Sequence, residues 1–487
     1  MAPQTSSSPH YPDVLLHVAG EWRAARDGAT TKVLNPATEE VIGSRAHAGK
    51  QDVEEALAAA QQGFADWTKI SVLERSNIMR KAASLLRDRV SEISVLLTME
   101  QGKPLAEARA EILSGADIID WFAEEARRTY GRVIPARRDA LRQLAVKEPV
   151  GPVAAFAPWN FPINQVVRKV SAALAAGCSI IVKGPDETPA SPAALIQCFV
   201  DAGIPAGAIA LIYGTPAEIA NQLITSPVIR KISFTGSTAV GKTLAALAGS
   251  HMKRSTMELG GHAPAMILKD ADLSRAASVM AAAKFRNAGQ ACISPTRFLI
   301  DEEVYEEFVS RFVELATSIK VANGLDDDVT MGPLANARRL EAMDTTVQDA
   351  VRQGAKIVAG GKRSGNKGYF FEPTVLRDVP VTARAMNEEP FGPVALMTPV
   401  ASMNELIEEA NRLDYGLASY AFTRSAASAA RLGESVRAGM LSINHYGLAL
   451  PEVPFGGIND SGYGTEGGAD ALEGYLNTKF ISHLQLD

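Results

Sequence analysis

Two short segments carry side chains that could do chemistry together: Met257-Glu258-Leu259-Gly260-Gly261 and Asn287-Ala288-Gly289-Gln290-Ala291-Cys292. Each sets one reactive group among residues that do not crowd it. A thiol attacks carbonyl carbon and holds the acyl group covalently. A carboxylate acting as a base can activate the water that later releases it. Taken singly, Cys292 reads as a buried structural cysteine and Glu258 as a turn residue. Taken as a pair, they read as a nucleophile and its base.

A second set of residues suits phosphate. An apolar run at 230–234 leads into Thr235-Gly236-Ser237-Thr238-Ala239-Val240-Gly241-Lys242-Thr243, and Gly236–Thr243 satisfies the Walker A pattern GxxxxGK[ST]. Ala265-Met266-Ile267-Leu268 runs towards Asp270 as a Walker B strand would. A P-loop NTPase is therefore the rival from a different class. Against it, the motif follows the fourth strand of its series, and no arginine-finger constellation accompanies it. It also leaves Glu258 and Cys292 without a task. The same residues suit a dinucleotide: Gly236 permits close backbone approach, the following helix N-terminus faces a pyrophosphate, and Ser237 adds a hydroxyl. Lys183-Gly184-Pro185-Asp186-Glu187-Thr188-Pro189 ends the second strand, where doubly wound sheets bind nucleotides. A lysine with an acid three residues on suits ribose hydroxyls. The acid would repel a 2′-phosphate, so NAD is expected, with NADP as the weaker alternative.

These groups need a scaffold. A chain of 487 residues is too long for one core, and two or three domains are expected. Residues 52–131 read as helices. Val53, Leu57, Ala60, Phe64 and Trp67 recur at three- and four-residue steps behind an Asp52 cap. Ile78, Ala82, Leu85 and Leu86 mark a second helix, and a third runs from near Pro104 to near Gly131. The charged stretch 132–149 reads as a hairpin or bridge. Strands at 152–157, 179–183, 208–213 and 230–234 then alternate with helices that end at Gly177 and Gly203, the pattern of a doubly wound parallel sheet. A second α/β pattern follows Glu258, with strands near 264–268, 297–300 and 441–443. The Gly-rich stretch 456–468 reads as a loop, and the last dozen residues as an edge strand.

Composition excludes several classes. Lys and Arg number 49 against 55 Asp and Glu, for a net charge of −6, and no dense basic run is present, which argues against nucleic-acid binding. Three separated cysteines (Cys178, Cys198, Cys292) suggest a reducing, cytoplasmic compartment without a disulfide framework. No close Cys/His spacing supports a metal site. The longest nearly apolar run, 172–182, is too short to span a bilayer, so no membrane association is expected. Met1–Pro12 reads as a loose polar arm and not a signal peptide.

With these motifs in order, the chain resembles the NAD(P)-dependent aldehyde dehydrogenases from Asn35-Pro36-Ala37-Thr38 to Ser461-Gly462-Tyr463-Gly464. The resemblance also rests on Pro158-Trp159-Asn160-Phe161-Pro162, Phe234-Thr235-Gly236-Ser237, Glu389-Pro390-Phe391-Gly392-Pro393 and Pro454-Phe455-Gly456-Gly457. It implies Cys292 as nucleophile and Glu258 as general base. The Asn160 amide and the Cys292 backbone N–H would form the oxyanion hole, whose dipoles should favour the thiolate. Lys169, with Glu466, would support proton movement. Lys183 and Asp186 would hold the adenosine ribose, and Gly236 and Ser237 the pyrophosphate. Ala157, Pro158, Trp159, Leu259 and Gly260 would line the cofactor site, and Glu389 would hold the nicotinamide ribose beside Phe391. Two departures stand out: Asp186 where many relatives carry Glu, and Gly184 where a proline is usual.

The implied fold is α/β: a Rossmann-type NAD-binding domain (1–129 and 150–258), an α/β catalytic domain (259–470) and an oligomerisation segment (130–149 and 471–487) of a homodimer or homotetramer. Arg286, six residues before Cys292, and Arg168, eight after Asn160, suit a carboxylate at the far end of the substrate. In the family, arginines at both positions resemble succinate semialdehyde and 2-oxoglutarate semialdehyde dehydrogenases. The string Cys292–Arg297 leans towards the latter, whereas the loop 447–452 departs from the former. Phe161, His445 and Tyr446 are expected to line the same channel. Ser294 stands where some relatives carry a second cysteine, so no local disulfide switch is expected. The alternatives are a broad-specificity aliphatic or aromatic aldehyde dehydrogenase and, less favoured, a catalytically silent homologue.

Overall fold

A computed structural model describes residues 10–486; most of the N-terminal arm, residues 1–9, lies outside it. Strands Val153–Phe156, Ile180–Lys183, Ile209–Ile212, Lys231–Thr235 and Arg254–Glu258 are parallel neighbours in an eight-stranded sheet. The first four are buried along their length, which is why they read as apolar runs and not as alternation; the fifth, Arg-Ser-Thr-Met-Glu with its first two residues not buried, was not expected from the sequence. From Val153–Phe156 the chain steps outward through 180–183 and 209–212, then returns to the other side for 231–235 and 254–258. The direction of winding therefore reverses between Phe156 and Thr235. A crevice at the carboxyl ends of these two strands follows from that reversal.

Helices pack on both faces. α1 (Lys50–Trp67), α2 (Val72–Asp88), α3 (Val90–Gln101) and α4 (Leu105–Glu125) precede the parallel strands; α5 (Pro162–Ala176), α6 (Ala190–Ala202), α7 (Pro216–Thr225) and α8 (Thr238–Ser250) connect them. Gly177 and Gly203 end α5 and α6 at φ +94° and +99°, the left-handed conformation expected of them. Three details differ from the sequence reading. Asp52 is not the cap of α1: Gly49 is, and the Asp52 carboxylate reaches back to accept the Gly49 N–H at 2.9 Å. Helix α3 was not expected, because it buries Ser94, Thr98, Glu100 and Gln101 beside Ile93 and Leu97 and so shows no clean apolar stripe. The helix from Pro104 stops at Glu125, short of Gly131.

A second, seven-stranded sheet runs in the order 356–359, 374–377, 394–400, 295–301, 263–267, 418–422, 440–443, parallel except for its first strand. The chain crosses from one sheet to the other at Leu259–His262, so Glu258 ends one sheet and Ala263 begins the next. It returns through Gly462–Tyr463, which pairs antiparallel with Met257 and Glu258. The stretch 132–149 does form a hairpin (132–134 with 141–149). Residues 476–484 pair with 141–149 in register over their whole length, as the expected edge strand. Val133 and Phe480 on this small sheet are 81% and 57% exposed, large apolar groups left in water. No described helix is long and apolar enough to cross a membrane.

Candidate active site

The reversal point holds a cavity of about 710 Å³. Its wall includes Ala157, Pro158 and Trp159 after one strand, Lys183 and Asp186 after the next, and Ser237 after a third. Lys183 Nζ pairs with Asp186 at 2.7 Å. Ser237 begins α8 without spending its hydroxyl on a cap, so hydroxyl and first-turn N–H groups remain for a ligand. Leu259 fills the gap left by Gly241, where a Cβ would clash with its side chain. A Cβ on Gly260 would sit 2.7 Å from a Glu389 oxygen, so the bare glycine keeps the passage beside that carboxyl open. Burial pushes the Glu389 pKa up to about 8. Trp159 meets Phe391 edge-on, 5.7 Å between centroids, and Arg339 lies over the Phe391 ring. A cation–carboxylate pair, a free helix N-terminus and a glycine beside a buried carboxyl fit the ribose, pyrophosphate and second ribose of a dinucleotide.

The NTPase alternative fails here. Lys242 points to the surface and pairs with Asp460 at 2.8 Å. The strand leading to Asp270 belongs to the other sheet, and Asp270 accepts hydrogen bonds from Thr423, Arg424 and Ser425. The two halves of the pattern do not share a site.

Deeper in, a second cavity of about 230 Å³ is lined by Cys292, Phe161, Arg168, Arg286, Tyr446 and Phe455, among others. Cys292 follows a turn in which Asn287 and Ala288 take φ of +50° and +52°, a strained conformation for side-chain-bearing residues. Gly289 comes next because a Cβ there would strike the Gly392 carbonyl. The turn is held from outside: Gln101 donates to Asn287 Oδ1 at 2.8 Å, and Glu107 accepts the Asn287 N–H at 2.9 Å. Asn160 is buried beside it and donates its amide to the Gln290 carbonyl at 3.1 Å, two residues before the thiol. The main-chain oxygen of Asn160 accepts from Lys103 Nζ and from Asn287 Nδ2, each at 2.9 Å. Lys103 pairs with Glu111 at 2.5 Å with both side chains out of water, and Glu111 also accepts the Ile163 and Asn164 N–H groups that open α5. The sequence reading missed Lys103, Glu111, Gln101 and Glu107. The only local signal was an acid pair at a four-residue step, Glu107 and Glu111, just after a Gly-Lys-Pro.

Glu258 lies at the carboxyl end of its strand with neither oxygen hydrogen-bonded. Burial, with the Glu466 charge second, holds its carboxyl well above the usual range. Behind it Lys169 Nζ contacts both Thr235 Oγ1 and Glu466 Oε1 at 2.6 Å, and Ser233 donates to the same Glu466 oxygen at 2.7 Å. Cys292 is half-buried and stands in the cavity wall. Burial, reinforced by Glu389 and Glu258, pushes its thiol up to about 12. The expectation that local dipoles favour the thiolate is thus not met in this state: desolvation outweighs them.

The two arginines differ. Arg168 donates to the carbonyls of Glu466 (2.6 Å) and Ala449 (3.0 Å) and packs on Phe455. Arg286 lies over the Phe161 ring at 5.1 Å and forms no ion pair among the described residues. His445, expected in the channel, is exposed; its Nδ1 accepts the Gly447 N–H at 3.0 Å and its ring is not part of the wall. Its neighbour Tyr446 takes that place.

A family model described as "Aldehyde dehydrogenase family" matches residues 22–481. The chain is 46% identical over 469 residues to the putative 4-(hydroxymethyl)benzenesulfonate dehydrogenase TsaD2 of Comamonas testosteroni, covering 96% of this chain and 98% of that one. It is 38% identical to the succinate-semialdehyde dehydrogenase [NADP(+)] GabD of Escherichia coli, covering 95% and 96%. The crystal structure of succinate-semialdehyde dehydrogenase from Burkholderia pseudomallei superposes with a TM-score of 0.96 at 38% identity, covering 99% and 100%.

Two outcomes follow from this geometry. In protein free of cofactor, alkylation of Cys292 by iodoacetamide, followed by mass spectrometry of its peptide, should keep accelerating to at least about pH 10, since the thiolate fraction grows roughly tenfold per unit below the pKa. A plateau below neutrality would show a stabilised thiolate instead. Replacing Glu111 by Gln strands Lys103 without a counter-charge and should cost about 3–5 kcal/mol in urea unfolding, whereas the double replacement Lys103→Met with Glu111→Leu should cost much less.

Proposed function

The chain belongs to the aldehyde dehydrogenase family, and on that premise we propose that it oxidises small aldehydes bearing a distal anion, using NAD in preference to NADP. The favoured substrates are ω-carboxylated semialdehydes such as succinate semialdehyde or 2-oxoglutarate semialdehyde. The observation that carries this reading is the position of Arg286. Its guanidinium stands in the same wall as Cys292 and is not committed to any carboxylate, so it is available to an anionic substrate tail.

The side chains divide the chemistry as follows. Cys292 Sγ bonds to the carbonyl carbon of the aldehyde, and its proton must leave to a base, because a thiol with a pKa near 12 supplies almost no thiolate at neutral pH. Glu258, whose two oxygens have no hydrogen-bond partner, takes it once its carboxyl is ionised, and must pass that proton on before it acts as a base again. The oxygen of the resulting thiohemiacetal becomes anionic, and the Asn160 amide and the Cys292 N–H are the donors for it. NAD, when bound, supplies the hydride acceptor. Lys183 and Asp186 would hold its adenosine ribose, Gly236, Ser237 and the α8 N-terminus its pyrophosphate, and Leu259, Gly260 and Glu389 its nicotinamide half, with Phe391 and Trp159 packed alongside. Loss of the hydride leaves a thioester on Cys292. Water deprotonated by Glu258 attacks that thioester, the C–S bond breaks, and a carboxylate leaves while Cys292 regains its proton. The chain Lys169–Glu466–Ser233 stands behind Glu258 as a route for the surplus proton.

On this reading residues 1–129 and 150–258 form the NAD-binding domain and 259–470 the catalytic domain. The segments 130–149 and 471–487 join subunits of a dimer or tetramer, where Val133 and Phe480 would leave water. A cytoplasmic setting suits the unpaired, mostly buried cysteines.

A second reading has its own support. Phe161, Tyr446 and Phe455 make the cavity wall aromatic, and the 46% identical relative is named for a benzenesulfonate. An aryl aldehyde with an anionic para substituent would use the same arginine.

The test is kcat/KM, read as NADH formation, for two matched pairs: succinate semialdehyde against butanal, and 4-formylbenzenesulfonate against benzaldehyde. The charged member of at least one pair should win. Arg286→Gln should lower its kcat/KM by roughly 10–100-fold while leaving the neutral aldehyde nearly unchanged. Equal rates within both pairs would make the enzyme a generalist and the arginine structural. Cys292→Ala should abolish NADH formation altogether; retained activity would remove the covalent mechanism.

A further inference from the structure

We propose that Arg45 is a specificity-determining residue for the cofactor: by neutralising Asp186 it lets the ribose end of the crevice accept a 2′-phosphate, so that NADP is a usable partner as well as NAD. The proposal rests on the reading of the crevice as a dinucleotide site.

Lys183 and Asp186 alone form a pair with no net charge, and an added phosphate would meet a bare carboxylate edge. The fold adds a third charge from far along the chain. Arg45 lies on the strand Val41–Ala46, outside the large sheets, and is only 5% exposed. Its Nε donates to the main-chain oxygen of Asp186 at 3.1 Å, and its Nη2 stands 3.2 Å from Asp186 Oδ1. Lys183 Nζ occupies the other oxygen, Oδ2, at 2.7 Å. Each carboxylate oxygen therefore faces its own cation, and the triad carries a net charge of +1. The next acid, Glu187, reaches Arg338 at 3.3 Å, so it does not cancel that excess.

The geometry suits an arginine in particular. One planar guanidinium hydrogen-bonds the main-chain oxygen through Nε and holds Nη2 within ion-pair distance of the carboxylate of the same residue, a fixed spacing that a lysine's single nitrogen does not offer. That double contact also fixes the loop: Asp186 cannot swing its carboxylate into the cavity without breaking with Arg45. Arg45 Nη1 is buried and has no hydrogen-bond partner, so a further N–H donor is present beside the triad. Among buried groups such a donor ordinarily finds an acceptor. A phosphate on the ribose 2′ oxygen would bring three acceptor oxygens and two negative charges to a locus already one charge positive.

The experiment measures dissociation constants of NAD⁺ and NADP⁺ for the full-length protein by isothermal titration calorimetry, without aldehyde. The quantity read is the ratio Kd(NADP⁺)/Kd(NAD⁺). In the unaltered protein it should lie within about tenfold of unity; Arg45→Gln should raise it about tenfold or more, and Arg45→Lys by less. Asp186→Asn, with Arg45 retained, should lower it. A purely structural role for Arg45 would weaken both cofactors alike and leave the ratio unmoved, which overturns the proposal. A ratio that falls in Arg45→Gln does the same. If the unaltered protein binds neither dinucleotide, the crevice is not a cofactor site, and the underlying reading fails before Arg45 enters. If Arg45→Gln does not fold, the Arg45→Lys and Asp186→Asn ratios decide: both must move in the stated directions.

Discussion

A single charge pair without access to water, Lys103 with Glu111, organises the region around the nucleophile. Buried pairs of this kind contribute little net stability, because desolvation consumes most of the Coulomb attraction. What this one contributes is position. Lys103 spends a second donor on the Asn160 carbonyl and lies 3.9 Å from the Phe161 ring centre. Glu111 spends its other oxygen on the first N–H groups of α5. The turn that carries Asn160 and Phe161, and the start of the helix that carries Arg168 and Lys169, are thereby tied to α4. The strained Asn287–Ala288 turn is tied to the same helix region through Gln101 and Glu107. Asn160, the cavity wall and the turn before Cys292 therefore share one anchor, although they come from three separate parts of the chain.

The second common cause is dryness. Glu258, Glu389 and the Cys292 thiol are all shifted upward, and in each case burial is the leading reason. Lys284, fully buried with its amine hydrogen-bonded to Ser294 Oγ, is shifted the other way by burial, down to about 7. Acids and base alike are pushed towards their neutral forms. A site in this condition holds its protons until an incoming group alters the balance. That suits a reaction in which one carboxyl must first take a thiol proton and later a water proton. The low dielectric that raises these pKa values also strengthens any donor aimed at a developing oxyanion.

How much of this could be read beforehand follows from the range of the interactions. Strands that bury both faces appear as apolar runs, so four of the five parallel strands were located to within a residue or two, and the polar 254–258 was missed. Gly177 and Gly203 announced helix ends because the left-handed turn is a local need. Glu258 and Cys292 stood out because their neighbours are small. Helix α3 was hidden because its buried face is polar. Arg45 was hidden because Asp186 lies far along the chain, and Lys103 and Glu111 because the groups they position, Asn160 and the start of α5, do; nothing local marks a cation that will be paired inside. Asp52 was placed correctly as part of a helix start, but in the wrong half of the capping arrangement. The Walker pattern misled for the converse reason: its residues are correct locally, yet the strand that should complete the site belongs to a different sheet.

Arg168 and Arg286 show the same limit at the substrate cavity. In sequence they look alike, two guanidiniums within eight residues of a reactive group. In the fold Arg168 is already engaged: it grips the carbonyls of Ala449 and Glu466, at the two ends of the loop that returns to the first sheet. That loop carries Gly462–Tyr463, which pairs with Met257 and Glu258, and Glu466, which meets Lys169. Arg168 therefore joins the substrate wall to the base, and its charge is partly committed to that task. Arg286 rests on the Phe161 face beside the Tyr446 hydroxyl, with Glu107 near enough to feel its charge, and makes no ion pair among the described residues. An anion entering the cavity would find one arginine serving as a strut and the other as a receptor. The asymmetry arises because backbone carbonyls at a loop closure compete for a buried guanidinium as effectively as a ligand does.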